Sequence, residues 1–208
     1  AFDSWSITNE TFDGRGYGAL YYYALADLKY IRDIAEETEN WTYYLIVNTV
    51  EAYVFQMLVD MYDKVPYFEA VLGEEGNITP QFDDGQAIYN ALIDKLDNAL
   101  SKDLNAATCE DPGTSDIVFG GNMDNWVRFA NTLKLKIYLR QSFANNMTTE
   151  INAMMGEPFL NTHADFDIFV DQGDKRNPIY STVVVEQPGN ISMSRTILNL
   201  LVDNLMGN

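Results

Sequence analysis

The sequence is poor in the residues that build disulfides and metal sites. It has one cysteine, Cys109, and one histidine, His163, in 208 residues. A single cysteine excludes an internal disulfide, and single copies of both residues exclude the Cys-rich and His-rich clusters that bind zinc. A Ser-His-Asp triad would have to use His163. We therefore expect neither a metal nor a cofactor.

Positive charge is also scarce. Lys and Arg number 13 against 31 Asp and Glu, which gives a net charge of −18. Nucleic acids and anionic lipids present phosphates that need Lys and Arg opposite them, so this composition argues against a nucleic-acid partner. The hydrophobic content of 47% is ordinary for a globular protein, and the length suits one domain.

The longest apolar stretch covers residues 40–67 and organises the rest of the chain. Its length would suit a membrane span. Glu51 and Asp60 argue against a span, because charges inside a membrane are costly. The polar stripe of the stretch is narrow, which is typical of a buried helix with neighbours on several sides. We expect Asn40 to be its N-cap and Pro66 to end it.

Other segments with helical periodicity predict a mainly α fold. Two helices joined by a few residues should pack as an antiparallel hairpin, so the first two are expected to pair. The third has Asp83 as its expected N-cap, with Gln86 completing a capping-box-like pair. The predicted helices cover about residues 17–37, 40–65, 83–100, 125–145, 149–155 and 194–205.

These elements predict a single domain over residues 1–208, with helix pairs that pack as in tetratricopeptide repeats and with long irregular loops. Two short extended runs, 165–170 and 182–186, are expected to form strands. The chain opens without an initiator Met, so we expect a piece of a longer protein. The predicted parts are an N-terminal loop at 1–16, helix pairs at 17–146, an irregular segment at 157–193 and a terminal helix at 194–206.

Four motifs follow one another along the chain. Residues 52–67 read AYVFQMLVDMYDKVPY, a long apolar helix with a proline-containing exit. Residues 80–99 contain PQFD, then IY, then LDNA. Residues 116–136 contain DIVFGGN followed by WVRFANTLKLK, and residues 177–180 read NPIY. In this order and spacing the motifs resemble the SusD/RagB family of outer-membrane glycan-binding lipoproteins, over about residues 17–205.

The resemblance implies a non-catalytic role at the outer membrane, on the cell surface. Members of that family are held by a lipid anchor, which is expected upstream of the present chain. They cap a TonB-dependent outer-membrane transporter, a SusC-like barrel, and deliver glycan into it. A peptide is the alternative ligand. The repeat helices generally face the transporter, and loops on the other side hold the ligand.

The candidate carbohydrate-binding residues are Trp5, Phe12 and Arg15, in the loop before the first helix. Glycan contacts in the family often come from loops at this position. Sugar recognition uses flat aromatic faces for stacking and planar polar groups for paired hydroxyls, and Trp with Arg supplies both. The alternative interpretation is a loop anchored by one buried Trp.

Two other functions stay open from the sequence. A glycoside hydrolase needs two carboxylates close together, and the loop pairs Glu74-Glu75 and Asp83-Asp84 could provide them. A helical-repeat scaffold would instead bind a partner protein through its concave face.

Overall fold

The computed structural model describes residues 17–165 and 168–186, together with Pro188 and Asn199. The chain divides into two compact units, Ala1–Ala164 and Asp165–Asn208. The single domain expected from the sequence is not tested by this division and stays a prediction. The helices are α1 (Ala26–Glu37), α2 (Trp41–Tyr62), α3 (Gly85–Leu100), α4 (Met123–Gln141), α5 (Thr148–Ala153) and α6 (Pro178–Tyr180), with π-helical segments at Leu20–Leu25 and Ser181–Glu186 and 3₁₀ turns at Gly113–Ser115 and Gly173–Lys175.

Helix α2 is the centre of the first unit and packs against α1, α3 and α4, while α3 also packs against α4. The prediction of a buried central helix is confirmed. Burial extends even to its polar stripe, where Thr49 and Gln56 are fully buried. The Thr49 hydroxyl donates to the Leu45 carbonyl at 2.7 Å, which satisfies it inside the helix. None of the described helices combines the length and the apolar character of a membrane span.

Two predicted helix caps are corrected by the structure. Asn40 occupies the N-cap position of α2, but its side chain makes no capping bond. Its Oδ1 instead accepts from the backbone N–H of Glu110 at 3.3 Å, which ties the distant loop to α2. The cap of α3 is Asp84, one residue beyond the predicted Asp83, and its carboxylate accepts from the Gln86 N–H at 3.1 Å. The Asp83 carboxylate instead accepts hydrogen bonds from the backbone N–H groups of Tyr67 and Phe68.

The loop before α4 is organised by a single carboxylate, Asp116. Its Oδ2 accepts from the Trp126 indole at 2.7 Å and from the Gly121 N–H at 3.0 Å. Its Oδ1 accepts from the backbone N–H groups of Val118 at 3.0 Å and Phe119 at 3.1 Å. Burial alone would raise the pKa of Asp116, but these hydrogen bonds outweigh it and hold the pKa below its usual value. The spacing of DIVFGG and the following Trp thus has a direct structural cause.

The predicted short strands are the main error in the fold. The described residues contain no strand, and their only bridge is an isolated one between Val65 and Asp83. Residues 182–186 are helical because Asn177 caps the turn before them, accepting from the Ile179 N–H at 2.9 Å. Pro178 at the first helical position also favours a helix. Together, the cap and the proline outweigh the strand propensity of the β-branched residues that follow. Residues 168–170 are irregular, and the terminal helix at 194–206 lies outside the described residues except for Asn199.

Candidate functional site: a tyrosine-lined groove

A groove of about 1120 Å³ opens on the first unit between the start of the helical region and the loop that follows α2. One wall is formed by residues 17–33, which include the π-helical segment and the first half of α1. The opposite wall is formed by residues between 66 and 80. A cavity of this size is large enough for a small-molecule or oligosaccharide ligand.

Tyrosines dominate the first wall. The side chains of Tyr22, Tyr23 and Tyr30 are exposed to 78%, 75% and 69%. The wide turns of Leu20–Leu25 leave Leu25 as their one buried residue, so the adjacent tyrosines project away from the core. The same segment decides which apolar side chains of this wall face the core. In the structure Ile31 is exposed and Leu25 is buried.

Tyr21 fixes the floor of the groove. Its hydroxyl donates to the Pro66 carbonyl at 2.6 Å, so the two walls are joined directly. Its ring packs at 4.8 Å from Tyr17 and edge-on against Phe55 at 6.1 Å, measured between centroids. Burial, followed by the neighbouring Tyr17, raises the pKa of Tyr21. The phenol therefore stays protonated and acts as a donor.

Two carboxylates shape the second wall. Asp83 Oδ2 accepts from the backbone N–H groups of Tyr67 at 2.8 Å and Phe68 at 2.9 Å. Glu69 Oε2 accepts from the Gln81 N–H at 2.9 Å and from the Asn77 amide at 3.1 Å. These bonds satisfy backbone groups of a loop that has no regular structure, so its position relative to α2 and α3 is well defined.

Charged side chains edge the groove, and most are acidic. Lys29 forms ion pairs with Asp33 at 2.8 Å on its own helix and with Glu75 at 3.5 Å on the opposite wall. Glu74 is an exposed lining residue beside Glu75. Burial would raise the pKa of Asp33, but the Lys29 hydrogen bond and the charge of Arg32 outweigh it, so the pKa of Asp33 is lowered. The Asp33 carboxylate is therefore ionised.

A buried ion cluster supports the groove from below. Glu51 of α2 accepts from Arg32 of α1 at 2.7 Å and from Lys95 of α3 at 2.6 Å. Burial lowers the pKa of Lys95, although the charge and hydrogen bond of Glu51 oppose that shift. The Lys95 ammonium also lies 5.5 Å from the centroid of the Tyr67 ring. One carboxylate thus links three helices to the base of the second wall.

Only some of the site residues predicted from the sequence lie in the part of the chain that the structure describes. Trp5, Phe12 and Arg15 lie outside the described residues, so their role in binding stays a prediction. Glu74 and Glu75 lie at the edge of the groove. Asp83 accepts a hydrogen bond from the backbone of the loop, and Asp84 is the N-cap of α3. The tyrosines of the first wall were not among the residues predicted from the sequence. The consecutive Tyr21-Tyr22-Tyr23 was their visible signal, since a helix cannot bury three successive side chains on one face.

Within residues 17–165 and the described part of the second unit, no group of three or more His, Cys, Asp or Glu side chains is arranged to hold a metal ion. Asp171, in the second unit, is paired with Arg176 at 2.5 Å. The described lining of the groove presents tyrosine rings, hydroxyls and carboxylates.

Solved structures similar to this chain are SusD-like proteins. A SusD-like protein from Bacteroidetes is 25% identical with a TM-score of 0.58, and the match covers 69% of this chain and 26% of that one. A chitin-binding protein is 27% identical with a TM-score of 0.52, covering 65% of this chain and 29% of its own. A SusD/RagB family protein from Bacteroides thetaiotaomicron shares the fold at 22% identity, with a TM-score of 0.63 and coverage of 76% and 34%.

The present chain thus spans between a quarter and about a third of the length of these solved relatives. No curated protein matches it. The family match is much broader, since residues 4–205 fit the SusD-like family described as starch-binding and associating with the outer membrane. The order of motifs, the helix-pair architecture and this match agree: the chain belongs to the SusD-like family.

Proposed function

We propose that this protein binds an oligosaccharide without cleaving it, and that the tyrosine-lined groove contributes the binding surface. The observation that carries the proposal is the set of exposed rings of Tyr22, Tyr23 and Tyr30 along one wall. It is costly to leave large aromatic rings exposed to water when they contribute little to packing. The apolar faces of sugar rings stack on such surfaces. The carboxylates at the rim can accept hydrogen bonds from sugar hydroxyls, and the Lys29 ammonium can donate to them.

A binding role is also supported by the state of the groove carboxylates. A glycosidase needs one carboxylic acid with a raised pKa to protonate the leaving oxygen. The pKa of Asp33 is shifted in the opposite direction. Glu75 lies 3.5 Å from Lys29, with which it forms an ion pair. Charges of this kind suit recognition of hydroxyls better than proton transfer.

The glycan class is proposed from the family and its solved members. The family is described as starch-binding, and one solved relative is a chitin-binding protein. We propose a cell-surface location at the outer membrane with a lipid anchor, and delivery of the glycan to a TonB-dependent transporter of the SusC-like type. A peptide is the alternative ligand. Trp5, Phe12 and Arg15 remain proposed contributors to the same function.

Calorimetry with starch-type and chitin-type oligosaccharides tests the binding proposal. Replacing Tyr22 and Tyr23 together by Ala should weaken binding about tenfold or more, since each stacked ring contributes about 0.5–1.5 kcal/mol. Phe143→Ala is the matched control, because Phe143 is also fully exposed but lies outside the groove. Equal affinity of the tyrosine variant and the wild type would remove the groove from the proposal. Affinity for peptides without affinity for any glycan would replace the ligand class.

Copurification from outer membranes tests the partner. The tagged full-length protein should carry a barrel transporter with it after mild detergent extraction. Recovery of the protein without any barrel, under conditions that preserve other outer-membrane complexes, would contradict the delivery step but leave glycan binding intact.

A further inference from the structure

We propose that the groove selects for oligosaccharides that carry positively charged amino groups, over neutral sugars and over acidic ones. This inference rests on the proposed function, because it assumes that the groove binds a glycan. It concerns the charge of the ligand, which neither the family description nor the solved relatives specify.

The first step is the balance of charge on the walls. Among the described residues of the lining, Asp33, Glu74 and Glu75 are carboxylates and Lys29 is the one cation. Lys29 is already shared between Asp33 at 2.8 Å and Glu75 at 3.5 Å. The lining therefore has an excess of negative charge, and Glu74, which is exposed, has no ion pair within the described part of the chain.

The second step is the aromatic wall. The face of a tyrosine ring carries negative potential and attracts a cation within about 6 Å of its centroid. Tyr22, Tyr23 and Tyr30 line the groove and are largely exposed, so their rings are open to a ligand. An amino sugar can stack its ring on one tyrosine while its ammonium meets a carboxylate or a neighbouring ring. A uronic acid in the same position would bring a carboxylate towards Glu74 and Glu75.

The third step is that this protein already uses the same contacts internally. The Lys102 ammonium lies 4.6 Å from the centroid of the Trp41 ring, and the Lys136 ammonium lies 5.2 Å from that of Tyr53. Among the described residues the tyrosines of the groove have no such cation above them, although Lys29 stands in the same wall. A ligand ammonium would complete the arrangement.

The test compares length-matched oligomers of glucosamine and N-acetylglucosamine, which differ only in charge and acetylation. At about pH 6, where carboxylates are ionised, the full-length protein should bind the charged oligomer about tenfold more tightly, as two exposed charge contacts allow. Added salt should reduce this ratio. An oligogalacturonate of the same length should bind more weakly than both.

Variants that should change the affinity ratio in opposite directions distinguish an effect of charge from damage to the fold. Glu74→Gln combined with Glu75→Gln should lower the ratio about fivefold or more. Lys29→Met should raise it, because Glu75 loses its cation and Asp33 keeps only Arg32. Glu150→Gln combined with Glu157→Gln is the matched control, since these acids are exposed and outside the groove. The control should leave the ratio unchanged.

A ratio of one or less, or a ratio that the charge variants do not move in opposite directions, would overturn the selectivity. If N-acetylated or starch-type oligomers bind through Tyr22 and Tyr23 with equal or higher affinity, only this inference fails. If no oligomer binds, or if the Tyr22→Ala/Tyr23→Ala variant binds as tightly as the wild type, the proposed function itself fails.

Discussion

Glu51 is the residue whose replacement should show most clearly how the helices are held together. Its side chain is 8% exposed and is bonded to Arg32, which is 21% exposed, and to Lys95, which is 17% exposed. Glu51→Gln keeps the shape of the side chain and removes its charge. Two partly buried cations on different helices are then left without their shared anion.

The expected cost is large. Breaking a buried ion pair by removing one partner costs about 3–5 kcal/mol, because the remaining charge stays desolvated. Here two charges remain, so we expect the same range, although residual exposure relieves both and Arg32 keeps its ion pair with Asp33 at 3.2 Å. For a chain of this size the melting temperature should fall by about 6–20 °C. In the variant the pKa of Lys95 should fall further, since Glu51 opposes the lowering caused by burial.

Urea unfolding followed by circular dichroism measures this cost, because urea is uncharged and leaves ion pairs unscreened. Lys29→Met is the control: the two carboxylates that it leaves, Asp33 and Glu75, are 48% and 61% exposed, so this change should cost less than about 1 kcal/mol. Adding Lys95→Met to Glu51→Gln should recover part of the loss. A loss below about 1 kcal/mol for Glu51→Gln, or no recovery in the double variant, would refute the reasoning.

Three further variants test other contacts. Asp116→Asn should lose about 2 kcal/mol of stability near neutral pH, measured by urea unfolding, because an ionised acceptor of four N–H groups is removed. Folding lowers the pKa of Asp116, so the wild type should exceed the variant in unfolding free energy by the full amount above about pH 4, and by less as the pH falls below that value. A difference that grows at low pH would contradict the role given to the Asp116 carboxylate. Gly85→Ala should destabilise by about 1–3 kcal/mol although Ala favours helices, because the new Cβ would lie 2.7 Å from the Asp63 carbonyl. Gly73→Ala, where nothing lies within 4 Å, should be neutral or slightly stabilising in the same urea unfolding measurement. Tyr21→Phe should cost about 1 kcal/mol and speed amide exchange in the loop after Pro66, and unchanged exchange there would show that this hydroxyl does not join the walls.

The sequence predicted those features that depend on periodicity over many residues. The apolar run around Leu45 and Leu58 predicted a buried α2, and the stripe of Ile88, Leu92 and Leu96 predicted the inner face of α3. Both are confirmed, because burying a continuous apolar face dominates the free energy of packing. The DIVFGG-Trp motif was identified as specific, but its cause, one carboxylate with four donors, needed coordinates.

The errors occur where tertiary partners decide between local choices. Asp83 and Asp84 are equally good caps by type, and the choice was made by the backbone amides of Tyr67 and Phe68, which take Asp83. The run after Tyr180 has strand propensity, yet the Asn177 cap starts a helix there. The groove was missed for a related reason. Its walls are about forty-five residues apart in sequence, as the bond between Tyr21 and Pro66 shows.

The central claim is that the tyrosine-lined groove holds the glycan. A crystal structure of the full-length protein with a bound amino-sugar or starch-type oligosaccharide tests it most directly. Sugar rings should be stacked on Tyr22, Tyr23 or Tyr30, with polar contacts to the acidic rim. A ligand seated elsewhere, with these three tyrosines still facing solvent, would contradict it.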